Sequence, residues 1–177
     1  MPARQIIDVV FRVDTDSVQQ QYPQPSKNPK KPTAISPEQA YFVSAPSSPV
    51  QDVLSASVLT LKAQRGGLLR WYSSSNVSNG CYVIIYNIKS AASIGDALPL
   101  ISPFRLQSVQ QEIPIPNPDD PLHYSPTAQI SSYAQTQVDR IGQCSYSMYF
   151  YLVTMPDGQL ETLGYYSWDF SLDILAV

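Results

Sequence analysis

Ser145-Tyr146-Ser147-Met148-Tyr149-Phe150-Tyr151-Leu152, then Pro156-Asp157-Gly158, then the run from Leu160 to Trp168, is the stretch whose reading decides the fold. Tyr146, Met148, Phe150 and Leu152 share one parity, and Ser145, Ser147, Tyr149 and Tyr151 share the other. Successive side chains of a strand point to opposite faces, so this is a half-buried strand with a period of two. Pro-Asp-Gly turns the chain, because proline presets φ for the first corner and glycine accepts the positive φ of a later one. A terminal β-hairpin is predicted. Tyr165 and Tyr166 are adjacent and must face opposite ways, so at least one of them is expected outside. Tyr149, Tyr151, Tyr165 and Tyr166 are the candidate self-association residues, since aromatics with polar tips can cover a core and also form a sticky face. Trp71, Tyr72 and Trp168 are candidates for stacking against a ligand, with core packing as the competing role for the tryptophans.

Upstream of the hairpin, short apolar runs recur between turn signals. In Gln5 to Val13, residues Ile7, Val9, Phe11 and Val13 fall on one face, with Asp8 and Arg12 on the other. Asp14-Thr15-Asp16 offers caps to a short helix from Ser17 to Tyr22, stopped by Pro23. From Pro23 to Pro37 five prolines and three lysines, Lys27, Lys30 and Lys31, predict an ordered loop with a solvated basic run. It is not a linker, because the first strand would then lack partners. Tyr41 to Ala45 and Ser57 to Ala63 read as strands, and Arg65-Gly66-Gly67 predicts a hairpin into Leu68 to Tyr72. Asn79-Gly80 precedes Cys81 to Ile88, which is apolar enough throughout to predict a central strand with no wet face. The alternation slips between Leu106 and Val109, predicting a bulge or break near Ser108. Pro114, Pro116, Pro118 and Pro121 are expected to end the pairing and open a loop through Ser125. Ala128 to Val138 alternates weakly. About eight or nine strands with no interleaved helices predict an all-β antiparallel sandwich, immunoglobulin-like or jelly-roll-like, with a closed barrel as the alternative.

The chain has 177 residues, of which 14% are charged, 44% are hydrophobic, 16 are proline and 12 are tyrosine. That size predicts one domain over 1–177, burying about 70% of the unfolded chain's surface. A net charge of −3 lacks the basic footprint of nucleic-acid binding. No apolar run approaches the ~20 residues of a membrane span, and Met1 to Asp8 lacks a secretory pattern, so a soluble cytoplasmic protein is expected.

The chemistry-bearing residues are sparse. His123, the one histidine, lies among prolines with no nucleophile elbow, so it makes a poor general base. Cys81 and Cys144 have no ligand or redox spacing and read as buried small hydrophobes; whether they meet is left open. Asp14 with Asp16 lacks a calcium-loop pattern and suits a helix cap. Asp119 with Asp120 is turn chemistry. Arg65-Gly66-Gly67 has no phosphate-loop lysine or following helix, and the Asn76-Val77-Ser78 acceptor means nothing without secretion. No catalytic residue, metal ligand or cofactor is expected.

Several blocks carry a resemblance. Ile6 to Val43 contains the opening strand, the loop Tyr22-Pro23-Gln24-Pro25-Ser26-Lys27-Asn28-Pro29-Lys30-Lys31-Pro32-Thr33 and then Tyr41-Phe42-Val43. Leu61-Lys62-Ala63 through Arg70-Trp71-Tyr72 and Gly164-Tyr165-Tyr166-Ser167-Trp168-Asp169 follow in order. In these blocks the sequence resembles the bacterial PixA/AidA inclusion-body protein family, the proline loop being the most specific of them. Gly66-Gly67 replaces the family's usual Gly-Asp, Phe170 stands where proline is common, and Ser90 to Asp139 matches poorly. The resemblance implies a compact β-sandwich, abundant in cytoplasmic inclusions in some members and induced by quorum signalling in others, with no catalytic residues to carry over. The expected function is non-enzymatic self-association, as a homo-oligomer or larger assembly. The alternative is a carbohydrate- or small-ligand-binding module, and an enzyme ranks last.

Overall fold

In the computed structural model, residues 4–43, 50–52, 57–75, 80–90 and 98–177 are described. The strands are β1 (Ile6–Val13), β2 (Thr33–Ala34), β3 (Ala40–Val43), β4 (Val50–Asp52), β5 (Val58–Lys62) and β6 (Leu68–Ser75). They continue as β7 (Tyr82–Ser90), β8 (Arg105–Asn117), β9 (Asp120–Gln137), β10 (Gly142–Thr154) and β11 (Glu161–Leu175). The helix α1 spans Thr15–Gln21. It starts two residues before the expected Ser17 because the Asp14 carboxylate accepts the Ser17 N–H at 3.2 Å and the Ser17 hydroxyl at 2.8 Å.

Two sheets pack face to face. The first has the order β3-β1-β6-β9-β8, and the second β4-β5-β11-β10-β7, with β2 also against β11. The all-β sandwich expected from the strand pattern is present, and neither sheet closes into a barrel. The expected antiparallel pairing is corrected, for both sheets are mixed: β1 runs parallel to β6, and β11 runs parallel to β5 and to β2. Parallel neighbours need a long crossover, supplied between β1 and β6 by the helix, the proline loop and β3 to β5. Phe11 and Phe42 from the first sheet meet Trp168 of the second at 5.3 Å each, and Phe42 meets Phe170 at 5.0 Å. These rings, with Trp71, Phe150 and Tyr166, form the centre of the core. Burying each large apolar side chain stabilises the fold by about 1.5–3 kcal/mol before entropy is counted.

Four further expectations are corrected. Arg65-Gly66-Gly67 does not join a hairpin, since β5 lies in the second sheet and β6 in the first. Gly66, at φ +83°, instead turns the chain between layers, its N–H donating to the Val138 carbonyl at 2.7 Å. The Cys81 to Ile88 strand is β7, which ends the second sheet among the described residues rather than sitting at its centre. Its Tyr82 and Ile84 side chains are exposed while Val83, Ile85 and Ile88 are buried. Near Ser108 there is no bulge: β8 pairs with β9 in one continuous register from Arg105 to Pro116. Nor do Pro114 and Pro116 end the pairing, for they lie opposite Pro126 and Tyr124 in the ladder. A proline pair fits there because alternate antiparallel pairs exchange no hydrogen bonds. Tyr41 to Ala45 is described as β3 up to Val43, and the Asn76-Val77-Ser78 motif lies outside the described residues.

Candidate functional site

The outward face of the second sheet carries a group of four tyrosines. Tyr149 and Tyr151 of β10 and Tyr165 of β11 project away from the core on the parity opposite to buried Phe150 and Tyr166. Tyr86 of β7 joins them through an irregularity. Tyr149 pairs with Asn87 but Phe150 pairs with Ile85, which leaves Tyr86 as the extra residue of a bulge. Bulges re-aim side chains. The Tyr86 ring stands 5.8 Å and 88° from Tyr165, and 6.1 Å from both Tyr149 and Tyr151. Lys89 lies over the Tyr149 ring at 5.4 Å. Burial raises the Tyr86 phenol above its usual pKa, so it stays a neutral hydroxyl at neutral pH.

The proline loop closes one side of this platform. The Tyr86 hydroxyl donates to the Pro29 carbonyl at 2.9 Å. Tyr165 N–H donates to the Ser26 carbonyl at 2.9 Å, and Lys27 Nζ donates to the Thr162 and Leu163 carbonyls at 3.1 and 2.8 Å. β2 then pairs with Tyr166 and Ser167, whereas β5 pairs with Ser171 to Leu175 further along the same edge of β11. The loop thus stands in for a missing strand, which is why a segment with so few donors is ordered. Of its basic run, Lys27 is committed to β11.

The proposed stacking residues are not brought together. Trp71 and Trp168 are each 1% exposed. The Trp71 indole N–H donates to the Thr136 hydroxyl at 2.9 Å, and that of Trp168 to the Pro37 carbonyl at 3.2 Å. Their faces are covered by Phe42 and Phe170, so neither presents a surface to a ligand. Tyr72 is half-buried on the outer side of the first sheet, 5.4 Å from Tyr133. Among the self-association candidates, Tyr166 is core, and burial pushes its phenol up to about 12. Tyr149, Tyr151 and Tyr165 remain at the surface, as the parity argument requires of one member of the adjacent pair.

His123 Nδ1 lies 2.6 Å from Asp120 Oδ2 at the exposed start of β9, where both side chains face solvent. Cys81 and Cys144 are buried and no disulfide joins them; burial raises the Cys81 thiol pKa. Among the described residues, no three His, Cys, Asp or Glu side chains come close enough to hold a metal. A depression of about 490 Å³ near Arg65, Asp139 and Arg140 is open, and the Arg65 Nε is already donated to the Asp139 carbonyl at 2.9 Å.

Sequence reasoning missed the second feature of the surface. Beyond the short stretch where β9 pairs with β6 (Ala134 to Gln137), β8 and β9 continue as a two-stranded arm. Leu106 at its root and Ile130, Tyr124 and Leu122 along it are exposed. One signal was present: Pro114, Pro116 and Pro126 share a parity, the arrangement a paired ribbon permits.

A family model described as PixA, inclusion body protein, matches residues 5–174. The chain belongs to the PixA inclusion body protein family. The crystal structure of a PixA inclusion body protein from Burkholderia cenocepacia shares the fold, with a TM-score of 0.78 over 98% of this chain and 97% of that one, at 20% identity. No curated protein matches. Two of the sequence blocks that resemble the PixA family meet in space: Pro25 sits on Gly164, Ser26 bonds Tyr165, and Trp168 reaches Pro37. No helix among the described residues is long and apolar enough to cross a membrane.

Proposed function

We propose that this PixA protein is a single-domain, non-enzymatic protein of the cytoplasm that works by associating with copies of itself, stored densely under growth-phase or quorum control. The observation that carries the reading is the arm, whose apolar side chains at Leu106, Ile130 and Tyr124 are 61%, 72% and 70% exposed. Large apolar patches left open on a soluble protein mark interaction sites. The half-exposed tyrosine platform adds a second adhesive surface. Only 14% of residues are charged and the net charge is −3, so repulsion between copies is weak. The family name, inclusion body protein, agrees with such packing at high concentration. Sedimentation velocity over a series from about 1 µM to about 1 mM tests it, where apparent affinities of weak interfaces fall. The weight-average sedimentation coefficient is expected to rise with concentration, and a single monomeric species throughout refutes the reading.

A further inference from the structure

The arm's register says how copies meet. Facing residues of paired strands share a side of the sheet. Leu106 faces Ala134, Gln110 faces Ile130, Glu112 faces Ala128, Pro114 faces Pro126 and Pro116 faces Tyr124. Ala134 is 2% exposed beneath the second sheet, so this even-numbered side is the continuation of the core face. At the root, Leu106, Ser132 and Ala134 line a cleft of about 50 Å³ with Val83 and Ile85 of β7. Further out the side chains of the same face stand in solvent.

The edges of the arm are poor sites for an added strand. Because Pro114 and Pro126 face each other, theirs is a pair that exchanges no hydrogen bonds, and the backbone nitrogens of even-numbered residues point to the outer edges. Pro114 and Pro116 therefore remove two successive donors from the distal β8 edge, and Pro126 interrupts the β9 edge between the donors of Tyr124 and Ala128. What remains available is the face. Among the described residues no third strand joins this ribbon, and two strands alone are marginal, so the face needs a cover.

We propose that the cover is the same arm of a second copy, the two even-numbered faces packed together about a two-fold axis with Leu106, Ala128, Ile130, Pro114, Pro126 and Tyr124 inside. This rests on the self-associating reading and names its surface and partner. The face suits its own copy because Glu112 is its one charged side chain between Leu106 and Pro116 and between Tyr124 and Ala134. Glu112 is exposed and lies on β8, the outermost strand of its sheet. A two-fold contact buries the same patch on both partners and closes, leaving the tyrosine platform free for further contacts. The paired length gives a face roughly 35 Å by 10 Å. Two such faces with their side-chain relief reach about 1,000 Å², the low end for a specific interface. The dimer is therefore weak and forms where the protein is concentrated.

Two experiments on the full chain test this together. In sedimentation velocity, Leu106→Asp with Ile130→Asp is expected to weaken dimerisation at least tenfold relative to the parent protein, while circular dichroism and thermal melting stay unchanged because both sites are exposed. In a second arm, Ala128→Cys under mild oxidant is expected to give a disulfide-linked dimer, whereas Gln129→Cys, on the opposite face, and the parent protein give none. Association that persists in the double variant, or cross-linking equal at 128 and 129, overturns the arm-to-arm contact and leaves self-association standing. A parent protein that stays monomeric at about 1 mM overturns both and assigns the face to a partner of another sequence.

Discussion

Gly164→Ala is expected to destabilise the protein sharply, because it pushes the proline loop off the sheet. A Cβ at residue 164 would lie 2.4 Å from Pro25 Cγ and 2.5 Å from Pro25 Cβ. Non-bonded carbons rest at about 3.5–4.0 Å, so the ring must retreat by roughly 1 Å or more. The retreat is opposed on both sides of the contact. The Ser26 carbonyl holds Tyr165 N–H at 2.9 Å, and Lys27 Nζ holds the Leu163 carbonyl at 2.8 Å. Overpacking of this kind costs about 1–3 kcal/mol, and loss of one hydrogen bond adds about 1 kcal/mol. The sum of about 2–4 kcal/mol corresponds to a fall in Tm of roughly 5–15 °C for a chain of this size. Differential scanning calorimetry and urea unfolding measure it. Because the clash is with one ring, Gly164→Ala combined with Pro25→Gly should be less destabilised than the two single variants summed, by about 1 kcal/mol or more. A Gly164→Ala protein within about 0.5 kcal/mol of the parent, or strict additivity in the double variant, refutes the reasoning.

Alkaline stability follows from two buried phenols. Tyr146, whose oxygen accepts N–H groups from Leu100 and Ile101 at 2.7 and 3.2 Å, and Tyr166 are both pushed up to about 12 by burial. The unfolded chain releases these protons near pH 10 while the folded chain keeps them, so their contribution is complete below about pH 10 and is lost toward pH 12. Urea midpoints across that range should fall, and phenolate absorbance should show two tyrosines ionising late. Trp71→Phe should cost about 2–4 kcal/mol by urea unfolding, since it opens a cavity and leaves the buried Thr136 hydroxyl without its indole donor. In the folded protein, iodide should quench tryptophan fluorescence poorly, both indoles being 1% exposed. Asp8→Asn removes a two-pronged pair with Arg70, at 2.6 and 2.8 Å across β1 and β6. The pair is partly solvated, so the loss should stay below about 1 kcal/mol and shrink as salt is raised.

The hairpin of β10 and β11 was legible because its signal is local: strict alternation, a Pro-Asp-Gly corner and one buried face. β1 and the cap at Asp14 were legible for the same reason. The strand β7 misled because β-branched and aromatic residues on both faces look alike whether a strand is central or ends a sheet. Arg65-Gly66-Gly67 misled because a glycine corner specifies a change of direction and not the sheet into which the chain turns. The arm was missed because prolines were read as stops, when paired prolines at non-bonded positions let a ribbon run on. Of the candidate site, Tyr149, Tyr151 and Tyr165 followed from parity. Tyr86 did not, since it joins them only through a bulge set by pairing with β10.

Local order along the chain determined the strand class, the helix cap, the hairpin and the outward parity of the tyrosines, because periods of two, capping side chains and turn residues act over a few positions. Tertiary structure alone decided that Trp71 and Trp168 lie inside, that the proline loop serves as part of a sheet, and that β8 and β9 outrun their cover. Those outcomes depend on which distant segments claim each strand edge and each sheet face, and that competition is settled only when the whole chain packs.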